Sequence, residues 1–268
     1  MIPAGGNEKL RTALESVLQA STYPSYRVVV VDNSKGGDVR EWVRDFQGGR
    51  HKVDWLDCRS LPFNFSMLCN RGAAHTTSPY VLFLNDDTSV ISPDWMEAML
   101  EHAQHPQVGA TGCMLLFPNG AIQHAGVVVG MIGVAAHPFR GLEEKKGPYY
   151  FALSHVTRNC SAVTGACLLT RRRVFEEVGG FDETNLPTCF QDVDLCLRMS
   201  ERGYRIVYTP HAHLHHHESV TKTAVAGLPE IAYMHQRWKS IIENDPFYNP
   251  NLSRKSDSYD LDIASLLL

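Results

Sequence analysis

An α/β protein, with a mainly parallel central sheet and helices on both faces, is the fold this sequence predicts, and three observations carry that expectation. Helical periodicity and short apolar runs alternate from the N-terminus to Ala103 in the order α-β-α-β-α-β-α, the pattern of strands joined by crossover helices. Two of the runs, Arg27-Val28-Val29-Val30-Val31 and Val81-Leu82-Phe83-Leu84, are too short for helices and suit strands buried on both faces. Both runs end in acids, Asp32 and Asp86-Asp87. Carboxylates therefore collect at the carboxyl edge of the sheet, where open α/β sheets bind ligands.

Taken in order, Asn7 can cap a helix from Glu8 to Ala20, with Leu10, Ala13, Leu14, Val17 and Leu18 as its apolar stripe and Tyr23-Pro24 as its stop. The valine strand follows. Val39 to Phe46 reads as a short helix closed by Gly48-Gly49, Val53 to Leu56 as a strand, and Ser66 to Ala74 as a helix with Ser66 as its cap. After the Asp86-Asp87 strand, Ser92-Pro93-Asp94 supplies a cap, a proline at the first position and an acid in the first turn. The helix that follows buries Met96, Met99, Leu100 and Ala103.

The second half has a different texture. Val108 to Phe117, Ile122 to Val134 and Ala162 to Leu169 are apolar and strand-like. Residues 137–150 combine Gly, Pro and charge, which predicts a mobile loop with little to bury, able to act as a lid. Helices are expected at Arg172–Val178, from Gln191 to Gly203, and around Ile231–Ile242, with a strand at Tyr204–Tyr208 before Pro210 and a run of histidines. No clean linker interrupts the chain. The expectation is one domain over 1–268, with a ligand-binding half at 1–105, a second half at 106–223 and a helical tail at 224–268.

Composition removes several classes. With 44% hydrophobic and 20% charged residues the chain has a globular balance. A net charge of −4 lacks the basic excess of nucleic-acid binders. No apolar run approaches the ~20 residues of a membrane-spanning helix. Met1 to Gly6 has neither the basic start nor the apolar core of a secretory signal, and the seven cysteines form no Cys-x-x-Cys pair. They read as free thiols of a reducing compartment, so a cytoplasmic protein is expected.

Adjacent Asp86 and Asp87 repel each other, and a hard divalent cation holding a phosphate would relieve that repulsion. Asp32, Asp86-Asp87 and Asp192 recur at strand ends or helix starts, and His211, His213, His215, His216 and His217 follow late in the chain. An acid pair with one imidazole could hold an ion beside phosphates, and a separate acid could take a proton from an attacking hydroxyl. Each residue also has a plain structural reading. Asp32 could cap a turn. Asp192 and Asp194 could answer the helix dipole, which is the expected role of Asp194. Most of the histidines could be solvated, and no His-Glu-x-x-His pattern is present for zinc.

Six stretches occur in a telling order: Val31-Asp32-Asn33-Ser34, Phe83-Leu84-Asn85-Asp86-Asp87-Thr88, Thr164-Gly165-Ala166-Cys167-Leu168, Gly179-Gly180-Phe181-Asp182-Glu183, Gln191-Asp192-Val193-Asp194-Leu195-Cys196-Leu197-Arg198 and His216-His217-Glu218-Ser219. Together they resemble glycosyltransferase family 2, which has the GT-A fold. With Ile122-Gln123-His124-Ala125-Gly126, the likeness is closest to bacterial members of the rhamnosyltransferase or cell-surface polysaccharide type. The resemblance implies an inverting glycosyltransferase that uses Mg²⁺ or Mn²⁺, with a UDP- or dTDP-linked sugar as donor and a glycan or lipid-linked acceptor. Contact with the inner membrane surface is implied by the same analogy.

The resemblance also assigns residues. It implies Asp192 as catalytic base, and Pro3, Asp32, Arg71, Asp86 and Gly165 around the nucleotide sugar. It implies Asp87 at the metal, with His216, or His217 one place on, as the companion ligand. This sequence departs from the family pattern in carrying Gln191 where an acid is usual, and in having only Met1-Ile2 ahead of Pro3, so that the first strand looks truncated. A non-catalytic nucleotide-sugar or glycan-binding module, and a metal-dependent hydrolase, are the competing readings.

Overall fold

The computed structural model of the protein describes residues 1–5, 8–36, 39–46, 49, 51–147, 149–217 and 226–262. Strands β1 (Ile2–Ala4), β2 (Arg27–Asp32) and β3 (Lys52–Asp57) alternate with helices α1 (Glu8–Ala20) and α2 (Val39–Asp45). Helix α3 (Phe65–Ala74) leads to β4 (Tyr80–Leu84), β5 (Thr88–Val90) and α4 (Trp95–Ala103). Next come β6 (Val108–Leu116), β7 (Ile122–His124), β8 (Val128–Val129), β9 (Ala135–Ala136), β10 (Arg158–Cys160) and β11 (Cys167–Arg171). Helices α5 (Arg172–Glu177) and α6 (Gln191–Glu201), strand β12 (Arg205–His216), and helices α7 (Leu228–Arg237) and α8 (Lys239–Glu243) follow.

β1, β2 and β3 pair in parallel, with Pro3 opposite Val31 and Ala4 opposite Asp32. On the other side of β1, the Met1 amine donates to Leu82 O at 2.8 Å and Leu84 N–H donates to Met1 O at 3.0 Å. β4 therefore lies parallel to β1. The strand expected to be truncated is short, but it is in place and joins the two parts of the sheet. Beyond β4 the sheet becomes mixed: β11 runs antiparallel to both β4 and β6, β12 runs parallel to β6, and β10 runs antiparallel to β12. The strand order is thus β3-β2-β1-β4-β11-β6-β12-β10. The parallel pairing expected runs through β3-β2-β1-β4 and returns at β6-β12, with β11 and β10 antiparallel beside it.

Alternation along β4 explains its central position. Phe83 packs into one core cluster, against Phe175 and Phe181 at 5.1 and 4.9 Å, while Leu84 packs into another with Leu10, Leu14 and Trp95. Neighbouring residues of a strand face opposite sides, so both faces of the sheet are covered. Helix α1 buries Leu10, Ala13, Leu14 and Val17 as its periodicity predicted.

Local differences from the expectation have local causes. Asn64, not Ser66, caps α3, accepting from Met67 N–H at 2.9 Å. Ser92 does not cap α4; its hydroxyl accepts from His213 N–H at 2.8 Å instead. The caps expected from Asn7 and Gly48 lie outside the described residues. The tail helix breaks at Trp238, whose φ of −112° separates α7 from α8. The 137–150 segment is better packed than its composition suggested. Phe139 is buried and stacks on Tyr259 at 4.7 Å, and the Phe139 and Gly141 amides donate to Asp257 O and Ile122 O.

Candidate active site

From Leu84 the chain turns through Asn85-Asp86-Asp87 into β5, with Thr88 Oγ1 donating to Asn85 O at 2.9 Å. β5 pairs antiparallel with the end of β12, so that Thr88 stands opposite His216. This pairing needs β12 to run on past Pro210, well beyond the strand the sequence suggested. It does so through a register shift between Thr209 and His213, a bulge where proline supplies no ladder donor. The register sets His216 Nε2 3.0 Å from Asp87 Oδ1. The His217 imidazole turns to Ser89 Oγ at 2.9 Å, and only its backbone N–H reaches Asp87, at the carbonyl oxygen. His215 faces Phe117 O at 3.3 Å.

Gln123, on β7, fixes the tautomer of His216. Its Oε1 lies 2.7 Å from Nδ1, and an amide oxygen only accepts, so Nδ1 carries a proton. Nε2 is then the ring atom that faces the Asp87 carboxylate. Asn85 Nδ2 lies 3.2 Å from the same Nε2. Asn85 Oδ1 is buried and has no hydrogen-bond partner among the described residues. Lys9 Nζ, in the first turn of α1, stands 3.9 Å from Asp87 Oδ2. Burial acts to raise the Asp87 carboxyl, but the hydrogen bond and charge of His216, with the charge of Lys9, hold it below the ordinary carboxylate value. Asp86 Oδ2 accepts from Gly5 N–H at 2.9 Å.

Among the described residues, no group of three or more His, Cys, Asp and Glu side chains is placed to hold an ion. Asp87 and His216, with the unpartnered Asn85 oxygen, offer a carboxylate, an imidazole nitrogen and an amide oxygen. That set fits Mg²⁺ or Mn²⁺, which complete their shells with water and phosphate.

Asp192 opens α6. Phe190, just ahead of it, has φ 59°, a left-handed conformation that turns the chain sharply into the helix. Asp192 Oδ2 accepts from Gly165 N–H at 2.7 Å and Oδ1 from its neighbour Val193 N–H at 2.8 Å. Burial raises the Asp192 carboxyl, and these amide bonds, opposing it, do not cancel the shift. The side chain lines a cleft of about 260 Å³ together with Gln191, Thr188, Cys189 and His137. Gly165-Ala166 also meets the start of the turn that carries the other acids, because Asn85 N–H donates to Ala166 O at 3.0 Å. Asp194 is not a solvated first-turn acid. It is fully buried, pairs with Arg198 Nε at 2.7 Å and accepts from Trp238 Nε1 at 2.9 Å.

Asp32 is buried at the end of β2, between Ala4 and Asp57 on the flanking strands. Its Oδ1 accepts from Ser34 N–H at 2.9 Å and its Oδ2 from Trp55 Nε1 at 3.0 Å. Arg59, forked onto Asp57, approaches Asp32 Oδ2 to 3.8 Å and lies over the Trp55 ring. Ser34 Oγ is buried without a hydrogen-bond partner among the described residues, leaving a polar atom for a ligand. Arg71 is exposed on α3, with Cys58 as an electrostatic neighbour. A larger cavity of about 530 Å³ lies at the amino ends of β2 and β4, lined by Arg27, Lys52, Tyr80 and Met1, away from the acids.

Residues 1–239 match the model of a family described as glycosyltransferase-like family 2. The chain belongs to glycosyltransferase family 2. Among its relatives are the protein y4gI of Sinorhizobium fredii, 41% identical over 94% of this chain, and the O-antigen biosynthesis protein RfbC of Myxococcus xanthus, 40% identical over 91%. The chain spans only 28% and 19% of the length of these two. An N-acetylglucosaminyl-diphospho-decaprenol L-rhamnosyltransferase of Mycobacterium tuberculosis is 31% identical over 52% of this chain and 47% of its own length.

Solved structures show the same GT-A fold. GalNAc-T7 with UDP, GalNAc and Mn²⁺ aligns with a TM-score of 0.67 at 15% identity, over 90% of this chain and 48% of that one. The Pyrobaculum calidifontis mannosyltransferase PcManGT with GDP-Man and Mn²⁺ gives 0.58 at 14% identity, over 91% and 69%.

In this family 2 glycosyltransferase the structure pairs Asp87 with His216 and Asp192 with Gly165, sets Asp86 against the Gly5 amide, and places Pro3 and Asp32 on adjacent strands. It leaves Arg71 at the surface and the His217 ring turned aside. Gln123, Lys9, Asn85, Trp55 and Arg59 were not singled out from the sequence for the contacts they make. Gln123 and Asn85 carried a signal, since each belongs to a stretch already noted for its resemblance.

Proposed function

We propose that this family 2 glycosyltransferase is an inverting hexosyltransferase. It would move a sugar from a UDP- or dTDP-linked donor to a hydroxyl of a glycan or lipid-linked acceptor, with residues 1–268 acting as one catalytic domain. The observation that carries the reading is the Gly165-Ala166 bridge. Its amide holds Asp192, and its carbonyl holds the turn that presents Asp87. The helix that carries the proton acceptor and the turn that carries the ion-binding carboxylate are thereby each tied to neighbouring residues of one loop.

The roles are those the family resemblance implies, and the geometry supports them. Asp32, oriented by Ser34 and Trp55, binds the nucleotide base. Asp87 and His216 would hold Mg²⁺ or Mn²⁺, which supplies charge neutralisation to the departing diphosphate. Asp192 removes the acceptor proton while that oxygen forms the new bond to the anomeric carbon. The bond to the diphosphate oxygen breaks on the opposite face, and the configuration inverts. The names of RfbC and of the decaprenol rhamnosyltransferase support a cell-envelope polysaccharide as the product class. The seven cysteines, none of them in a disulfide among the described residues, support a cytoplasmic enzyme at the inner membrane surface. No helix among the described residues is long and apolar enough to cross a membrane.

The test is thermal stabilisation by UDP or dTDP with and without Mn²⁺. Ligand at about 100 times its Kd adds roughly 2.7 kcal/mol to apparent stability. That gain is expected with Mn²⁺, and is expected to disappear with chelator and in Asp87→Ala. Equal stabilisation in excess chelator would show that the diphosphate does not depend on an ion at Asp87.

A further inference from the structure

We propose that Lys9 is a positioning residue that couples the ion at Asp87 to the diphosphate of the donor. Its ammonium balances the second oxygen of Asp87 until a diphosphate arrives, then moves to a phosphate oxygen and leaves Asp87 to the ion. The proposal rests on the reading of Asp87 and His216 as the ion site.

Geometry and charge support it. Lys9 Nζ lies 3.9 Å from Asp87 Oδ2 and donates to His217 O at 3.1 Å, so it is held at the mouth of the site by a backbone carbonyl as well as by charge. The Lys9 side chain is 38% exposed and Asp87 only 11%, so the lysine stands on the solvent side, where a diphosphate would enter. A divalent ion and an ammonium on one carboxylate repel each other, and a diphosphate attracts both. Lys9 therefore disfavours the ion alone and favours the ion with nucleotide, which is positive coupling between the two ligands. An ammonium on a flexible four-carbon stem with three donors can make this move without displacing the backbone. A merely structural lysine would be a half-exposed ion pair of small consequence.

The experiment titrates Mn²⁺, followed by the loss of the free-ion paramagnetic resonance signal, into the wild type, Lys9→Met and Lys9→Arg, with and without UDP or dTDP. Lys9→Met is expected to bind Mn²⁺ alone about fivefold more tightly, and its nucleotide affinity at saturating Mn²⁺ is expected to fall about fivefold or more, the usual scale of such couplings. Lys9→Arg is expected to stay near the wild type. Opposite signs for the two ligands are the signature, since a variant that only loosens the fold weakens both. Unchanged or weaker Mn²⁺ binding in Lys9→Met, beside normal Mn²⁺ and nucleotide binding by the wild type, overturns the role of Lys9 alone. A wild type that binds no Mn²⁺ overturns the ion site, and this proposal with it.

Discussion

Asp192→Asn is expected to lose sugar transfer by about 10²–10⁴-fold, the usual contribution of a positioned general base, while its affinity for nucleoside diphosphate with Mn²⁺ stays close to that of the wild type. Asparagine keeps the size of the side chain and one acceptor oxygen for Gly165 N–H, but it cannot take a proton. Loss of fold is not the expected cause. Burial raises the Asp192 carboxyl in the folded state. Its contribution to stability is therefore present below the unfolded value of about 3.9 and is lost as pH rises through the raised folded value. At neutral pH the ionised, half-buried carboxylate works against folding, and asparagine removes that charge. The same shift gives a pH signature: the acid limb of kcat/KM is expected above the range of an ordinary aspartate, with activity falling as pH drops through the raised value. Transfer by Asp192→Asn at near the normal rate, measured under donor saturation, would remove Asp192 from the mechanism.

What could be read in advance was local. The valine run and the run into Asp86-Asp87 announce their strands because a segment buried on both faces is apolar at every position. Their terminal acids stand out because each closes a run of consecutive apolar residues. The start of α6 is legible from Gln191-Asp192-Val193-Asp194 ahead of an apolar stripe, and Leu195, Cys196 and Met199 are indeed buried. Direction and partnership were not local. Cys167 to Arg171 is as apolar antiparallel as it would be parallel, so its place between β4 and β6 left no mark in periodicity. Phe139 looked like part of an idle loop because its partner, Tyr259, arrives from the far end of the chain. Gln123 is a single amide whose meaning depends on meeting His216 across β6. The two aspartates in the first turn of α6 look alike in composition, and packing tells them apart.

That difference predicts opposite phenotypes at positions two residues apart. Asp194 is fully buried, pairs with Arg198 and accepts from Trp238 Nε1, so it ties α6 to the turn where α7 ends. Arg198 in turn donates to Val178 O and Gly180 O, closing the loop ahead of α6. Removing one partner of a buried pair leaves the other charge uncompensated, at a cost of about 3–5 kcal/mol. Asp194→Ala is therefore expected to lower the thermal midpoint by on the order of 10 °C for a chain of this size. Added salt should change this little, because a buried pair is weakly screened. Asp194→Asn keeps the acceptor for Trp238 and should lose less. Below its midpoint, each folded Asp194→Ala molecule should still transfer sugar, because Asp192 keeps its bonds to Gly165 and Val193. Replacing the pair by apolar residues of similar size, Asp194→Leu with Arg198→Met, should recover part of the loss, as buried ion pairs often tolerate such exchange. Recovery will be incomplete, since the carbonyls of Val178 and Gly180 lose their donor. A thermal midpoint unchanged in Asp194→Ala, or folded Asp194→Ala as inactive as Asp192→Asn, would contradict this division between a structural and a catalytic acid.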